Sequence, residues 1–290
     1  MNRSGAVAIG QTGLAGQSES GIAATFARLR AAGQAAFVPF YVCGDPDLAT
    51  SQALIESAAA NGADIIEIGV PFSDPIADGP VIQAAFYRAL ERGFKVRHLF
   101  ELAKNLRAAK VQQPLVCMVS YSLVYKHTTR EFFASAKAAG YDGLIIPDLP
   151  AGYEGGTAQQ AADAGLDLIF LIAPTTPPER RDTIAKISRG FIYYISIAGI
   201  TGARTTLPAD LADNVRDIKA RTATPVCVGF GISRPEQAAS VCGVADGVIV
   251  GSALVKKSEQ AVALGLKGGA LIAHVTALAA ELAKAAHARA

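Results

Sequence analysis

Tryptophan is absent from this chain of 290 residues, and methionine, cysteine and histidine are scarce, at two, four and four. The cysteines, Cys43, Cys117, Cys227 and Cys242, form no CxxC pair. Three lie in or beside apolar runs, which reads as buried, reduced thiols of a cytoplasmic protein and excludes a disulfide or zinc framework. The histidines, His98, His127, His274 and His287, stand at no ligand spacing, so no metal site is expected. Charge is sparse as well: 18% of residues are Asp, Glu, Lys or Arg, with a net charge of +2. Without basic clusters interleaved with aromatics, neither nucleic acid nor an acidic membrane surface is an expected partner. No uninterrupted apolar run reaches ~18 residues, so no membrane span is expected. The first 20 residues, rich in Gly, Ser, Gln and Ala, lack a charged start followed by a sustained apolar core. They are expected to form a flexible tail and not a signal peptide.

Apolar material is plentiful, at 51% of the chain. It falls into eight short runs: Ala36–Cys43, Asp64–Val70, Pro114–Ser120, Gly143–Asp148, Leu166–Ala173, Phe191–Ile197, Pro225–Phe230 and Gly247–Val250. Each is followed by a helical pattern, and an extra helix, Gly21–Ala32, precedes them all. Strands that are apolar on both faces suit a parallel sheet covered by helices. Eight such units predict a single (β/α)₈ TIM barrel, an α/β fold, over residues 21–290. In such a barrel the chemistry lies where the strands end, in the loops leading to the helices.

One strand end stands out. Glu67-Ile-Gly-Val-Pro-Phe-Ser-Asp-Pro-Ile-Ala-Asp-Gly-Pro80 places a carboxylate, Glu67, inside an apolar strand and two more, Asp74 and Asp78, on the loop after it. A buried carboxylate must be paired, neutral or functional. Acids held in different settings are the raw material of acid–base chemistry. At the other end of the barrel count, Gly199-Ile-Thr-Gly202, Gly229-Phe-Gly231 and Gly251-Ser252 form glycine turns. The last two follow the seventh and eighth strands, where barrels commonly bind a substrate phosphate with backbone N–H groups. The expected ligand is therefore a small phosphate ester whose reacting end points at Glu67 and Asp78.

These motifs resemble the tryptophan synthase α subunit family. The likeness runs through Phe37-Val-Pro-Phe40, Gly44-Asp-Pro46, the Glu67–Pro80 stretch, Pro147-Asp-Leu-Pro150, Ala173-Pro-Thr-Thr176, Gly199-Ile-Thr-Gly-Ala203, Gly229-Phe-Gly-Ile-Ser233 and Asp246-Gly-Val-Ile-Val-Gly-Ser252. It covers roughly Phe37 to Val255, and the Glu67–Pro80 stretch is its most specific part. The resemblance implies retro-aldol cleavage of indole-3-glycerol phosphate to indole and glyceraldehyde 3-phosphate, with Glu67 and Asp78 as the catalytic acids. It implies that Phe40, Met118, Ile145, Ile172, Phe230 and Ile249 wall the indole and that Tyr193 lies near the glycerol part. It implies that Thr201 orders a loop over Asp78, and that Gly202, Gly231, Gly251 and Ser252 hold the phosphate. The implied partner is the tryptophan synthase β subunit in an α₂β₂ complex. Pyridoxal phosphate would belong to that partner, with no cofactor in this chain. Ser120-Tyr-Ser122 departs from the family's Tyr-x-Asn segment, Ser196-Ile-Ala-Gly199 from its Ser-Arg-x-Gly, and Ala151 to Gly156 from a more acidic helix start.

Two rivals remain open at this level. A sugar-phosphate isomerase or Schiff-base aldolase would share the scaffold, although Lys126 and Lys256 lie beyond the strand ends where a Schiff-base lysine belongs. A non-catalytic barrel that only regulates the β subunit would have no need of both acids.

Overall fold

A computed structural model describes residues 20–75, 78–152, 155–196, 208–229 and 231–288. Its strands are β1 (Ala36–Val42), β2 (Ile66–Gly69), β3 (Leu115–Met118), β4 (Gly143–Ile145), β5 (Asp167–Ile169), β6 (Leu171–Ile172), β7 (Ile192–Ile195), β8 (Val226–Gly229) and β9 (Gly247–Val250). All pair in parallel, in the order β5-β4-β3-β2-β1-β9-β8-β7-β6. The two edges, β5 and β6, are halves of the run expected as one strand, Leu166–Ala173, broken at Phe170. β5 pairs with β4 and β6 with β7, so this stretch of chain closes the (β/α)₈ barrel. The break leaves no backbone group stranded: the Phe170 N–H donates to Ser188 Oγ at 3.2 Å, and its carbonyl accepts from the Tyr193 N–H at 3.0 Å.

The helices are α1 (Gly21–Ala31), α2 (Leu48–Ala60), α3 (Pro80–Glu91), α4 (Val96–Ala108), α5 (Tyr121–Lys126), α6 (Thr129–Ala139), α7 (Thr157–Asp163), α8 (Pro178–Ile187), α9 (Leu211–Arg221), α10 (Pro235–Cys242), α11 (Ser252–Ala263) and α12 (Gly268–His287). Most lie within a residue or two of their sequence patterns. α5 has no such pattern. Ser120 makes it by accepting from the Ser122 N–H at 3.3 Å as its N-cap. The Ala-rich C-terminal segment is helical and divides into α11 and α12 near Gly265, whose φ of 75° suits only glycine well.

Side chains alternate cleanly across the barrel wall. Ala36, Val38, Val116, Ile145, Ile169, Tyr193, Cys227 and Ile249 face inward and form one cluster, with Ile65 and Phe191 at its base. α1 seals the base: its buried face, Ile22, Phe26 and Leu29, joins this cluster, and Phe26 meets Phe191 edge-on at 6.1 Å. A second, larger cluster fills the layer between strands and helices and reaches the barrel mouth at Phe40.

The strand starts are bolted by carboxylates. Asp64, Asp142 and Asp246 each stand just before a strand and accept the N–H of a residue on the neighbouring one: Phe37 at 3.0 Å, Leu115 at 2.9 Å and Val226 at 2.9 Å. Each also holds a cation, respectively Arg28, Arg107 and Lys219. α12 docks the chain end onto this floor, with His287 Nε2 at 2.7 Å from Asp64 Oδ2. Among the described residues, α12 is the one helix long and apolar enough to cross a membrane by length and composition. In the fold, Leu271, Val275, Ala279, Leu282, Ala283 and Ala286 form its buried stripe, packed against α2, α10 and α11.

Candidate active site

The barrel mouth is shaped by aromatic rings that need glycines beneath them. Phe40 on β1 pairs in register with Glu67 on β2, and its ring lies across Gly69. A Cβ at Gly69 would overlap the ring, and one at Gly251 would come within 3.3 Å of Phe40 Cδ1. Tyr193 lies in the same way over Gly229, where a Cβ would overlap its hydroxyl. Two rings can therefore lean into the mouth only because three strand ends carry no side chain.

Glu67 points into this mouth, since its register partner Val116 belongs to the interior cluster. Only 1% of its surface is exposed, and neither carboxyl oxygen meets a hydrogen-bond partner. Burial, reinforced by the Asp78 carboxylate, pushes its pKa from 4.5 up to about 8. Of the three states open to a buried carboxylate, Glu67 thus takes the neutral one near pH 7 and holds a proton there. Asp78, half-buried in front of α3, is raised by burial to about 6 and is mostly ionised at the same pH. Tyr193 shares the site: burial, then the Glu67 and Asp78 carboxylates, raise its phenol well above the ordinary value. Asp74 is exposed on the loop.

Ile145 and Ile249 belong to the interior cluster, and Met118 packs against it. Ile172 is corrected. Its register partner is Tyr194, in the outer cluster, whereas Leu171 pairs with Tyr193 and packs on the interior one. With Ile169 inward, the period of two puts Leu171 inward and Ile172 outward. Alternation counted from Ile169 finds Leu171, and counted from Tyr193 it finds Ile195, which also packs on the interior cluster. Phe230, Thr201 and Gly202 lie outside the described residues, as does the whole 197–207 loop.

On the phosphate side, Gly231 has a φ of 78°, a left-handed turn. Gly251 is the N-cap of α11, and Ser252, exposed, is its first residue. α11 runs for 12 residues with no side chain capping its start, which leaves its first N–H groups and the positive end of the helix dipole open to an anion. Among the described residues no three His, Cys, Asp or Glu side chains gather as a metal site would require.

The departures from the family pattern have structural work of their own. Ser120 Oγ donates to Asp148 Oδ2 at 2.8 Å, and the Tyr121 N–H donates to Asp148 Oδ1 at 2.7 Å. The segment after β3 is thereby pinned to the segment after β4.

Comparison with known proteins agrees with this geometry. A family model described as tryptophan synthase alpha chain matches residues 26–287. The tryptophan synthase alpha chain of Rhodopirellula baltica is 46% identical over 247 residues, covering 84% of this chain and 89% of that one. That of Geobacter sulfurreducens is 46% identical over 242 residues, covering 83% and 91%. Among solved structures, tryptophan synthase of Mycobacterium tuberculosis superposes with a TM-score of 0.84 at 35% identity, covering 93% of this chain and 99% of that chain. Tryptophan synthase subunit alpha of Legionella pneumophila gives 0.85 at 31% identity, covering 92% and 98%. This chain belongs to the tryptophan synthase alpha chain family.

Proposed function

We propose that the chain carries out the carbon–carbon lyase reaction of its family through Glu67 and Asp78, splitting indole-3-glycerol phosphate into indole and glyceraldehyde 3-phosphate. The observation that carries this reading is the contrast between the two acids, one buried and protonated, the other ionised, across one barrel mouth. Indole leaves poorly until its C3 is protonated. Glu67, holding a proton near neutral pH, delivers it to C3. The ring nitrogen gains positive character at that moment, and the Asp78 carboxylate stabilises its N–H. Glu67, now a carboxylate, takes the proton of the side-chain hydroxyl. The carbonyl of the aldehyde forms, the C–C bond breaks, and its electron pair returns to the ring. Glu67 ends protonated, as it began, so one group serves as acid and then as base. The positive charge that develops on the ring is met by a preorganised negative group in a water-poor site, where electrostatic stabilisation is strong.

Phe40, Met118, Ile145, Leu171 and Ile249 hold the indole, with Phe230 as a further wall, and Tyr193 stands beside the glycerol part. Gly231, Gly251, Ser252 and the start of α11 hold the phosphate. The partner is the tryptophan synthase β subunit in an α₂β₂ complex in the cytoplasm. That subunit carries the pyridoxal phosphate and consumes the indole. Indole release by the purified chain, with and without a β subunit, tests the proposal. Glu67→Gln and Asp78→Asn should each lower turnover by orders of magnitude while leaving β-subunit binding intact. Full activity in either variant contradicts the assigned roles, and no indole from the wild type with binding intact leaves a regulatory barrel.

A further inference from the structure

Asp78 stands on a loop and not on a strand, so something must hold it at a fixed distance from Glu67. α3 begins two residues later at Pro80, capped by Gly79, which offers no side-chain bond to the helix start. Gln83, in the first turn, fills that gap by folding back over it. Its Nε2 donates one hydrogen to the Asp78 carbonyl at 2.8 Å and the other to the Pro75 carbonyl at 3.2 Å. The Asp78 N–H donates to the same Pro75 carbonyl at 3.1 Å, and the Gln83 N–H donates to the Gly79 carbonyl at 3.0 Å. One primary amide thus ties both Pro75 and Asp78 to the helix. An amide has the two donors this needs, set at a fixed angle, whereas a hydroxyl has one and a carboxylate none.

The helix is itself anchored. Arg88, further along α3, makes a two-pronged pair with Asp45 at 2.9 Å for both contacts, and Arg92 donates to the Pro46 carbonyl. Asp45 is 7% exposed, so the pair is well shielded and fixes α3 to the β1–α2 loop. A rigid line of contacts therefore runs from β1 through Asp45, Arg88 and Gln83 to the backbone of Asp78.

We propose that Gln83 is a positioning residue for the lyase reaction, setting the place of the Asp78 carboxylate over the indole nitrogen through these two carbonyl bonds. It touches neither substrate nor reacting atoms, and the inference rests on the role given to Asp78 above. A misplacement of about 1 Å in such a group is enough to cost turnover while binding persists.

The test is steady-state indole release by the α–β complex for wild type, Gln83→Met, Asp78→Asn and the double variant. Gln83→Met keeps the length and bulk and removes both donors. Gln83→Ala, which adds no apolar bulk at this half-buried site, stands in should the methionine variant not fold. We expect kcat to fall about tenfold and KM to change less than about twofold, the pattern of an interaction realised in the transition state. In the Asp78→Asn background Gln83→Met should lower the residual turnover no further, because there is no carboxylate left to place. Wild-type kcat in Gln83→Met beside a strongly impaired Asp78→Asn overturns the role of Gln83 alone. Equal losses from Gln83→Met with and without Asp78 also overturn it, since they mark a general structural defect. Wild-type turnover in Asp78→Asn overturns the role of the acid, and that of Gln83 with it.

Discussion

Replacing Glu67 by Gln should stabilise the protein, and by an amount that depends on pH. The glutamate sits on β2 with both oxygens unbonded and 1% exposure, so its charged form has nothing to offset the loss of water. Its pKa is about 8 in the fold against an ordinary value of 4.5. Below 4.5 folded and unfolded chains both hold the proton, and the group costs nothing. Between 4.5 and 8 the unfolded chain releases the proton and the folded one keeps it, so stability falls as pH rises. Above 8 both are ionised and the full penalty stands. At 1.36 kcal/mol per unit, the penalty is about 3 kcal/mol at pH 7 and about 4 kcal/mol at pH 8, with a ceiling near 5. Glutamine has nearly the same shape and no charge, and escapes it. Urea unfolding of wild type and Glu67→Gln, followed by circular dichroism at pH 5, 7 and 8.5, measures the difference directly. The stability gap should widen in favour of the variant with rising pH. Parallel curves, or a variant that is weaker at pH 8.5, would refute the view that Glu67 is buried without a partner.

Further outcomes follow from single contacts. Gly69→Ala should push the Phe40 ring out of place, because the added Cβ overlaps it, costing about 1–3 kcal/mol in urea unfolding and most of the turnover. Arg88→Met leaves the buried Asp45 without its cation and should destabilise by about 3 kcal/mol, read from the urea midpoint. Asp142→Ala strips both the Leu115 N–H and Arg107 of a partner on the barrel floor, and thermal unfolding should show a loss of about 2 kcal/mol with KM unchanged.

Much of this molecule is legible in its amino-acid sequence. The eight apolar runs mark the strands, because a parallel strand covered on both sides must be apolar throughout. Glu67 stands out for the same reason: a charge in such a run violates the pattern that surrounds it. What the sequence hides is set by geometry that spacing does not carry. The break at Phe170 depends on Ser188, 18 residues away, taking over an N–H, so nothing local announces it. The motif points to Ile172, and the alternation that puts Leu171 inward needs the register with β7. α5 arises from Ser120 and its bond to Asp148, a contact between two strand ends far apart in sequence. Gln83 looks like any polar residue on a helix, since its importance lies in the two carbonyls it folds back to reach. The floor acids Asp64, Asp142 and Asp246 do leave a trace. Each directly precedes or nearly precedes an apolar run, a repeated position that points to a structural duty and separates them from Glu67 and Asp78.

The central claim is that the working form of the site has Glu67 protonated and Asp78 ionised. That form predominates between the two pKa values, about 6 for Asp78 and about 8 for Glu67. The most direct measurement is the pH dependence of kcat/KM for indole release from indole-3-glycerol phosphate, which reports the groups of the free enzyme. The account predicts a bell with its rise near 6, from Asp78 losing its proton, and its fall near 8, from Glu67 losing its own. A profile flat across that range, or one that keeps rising past 8, would contradict it.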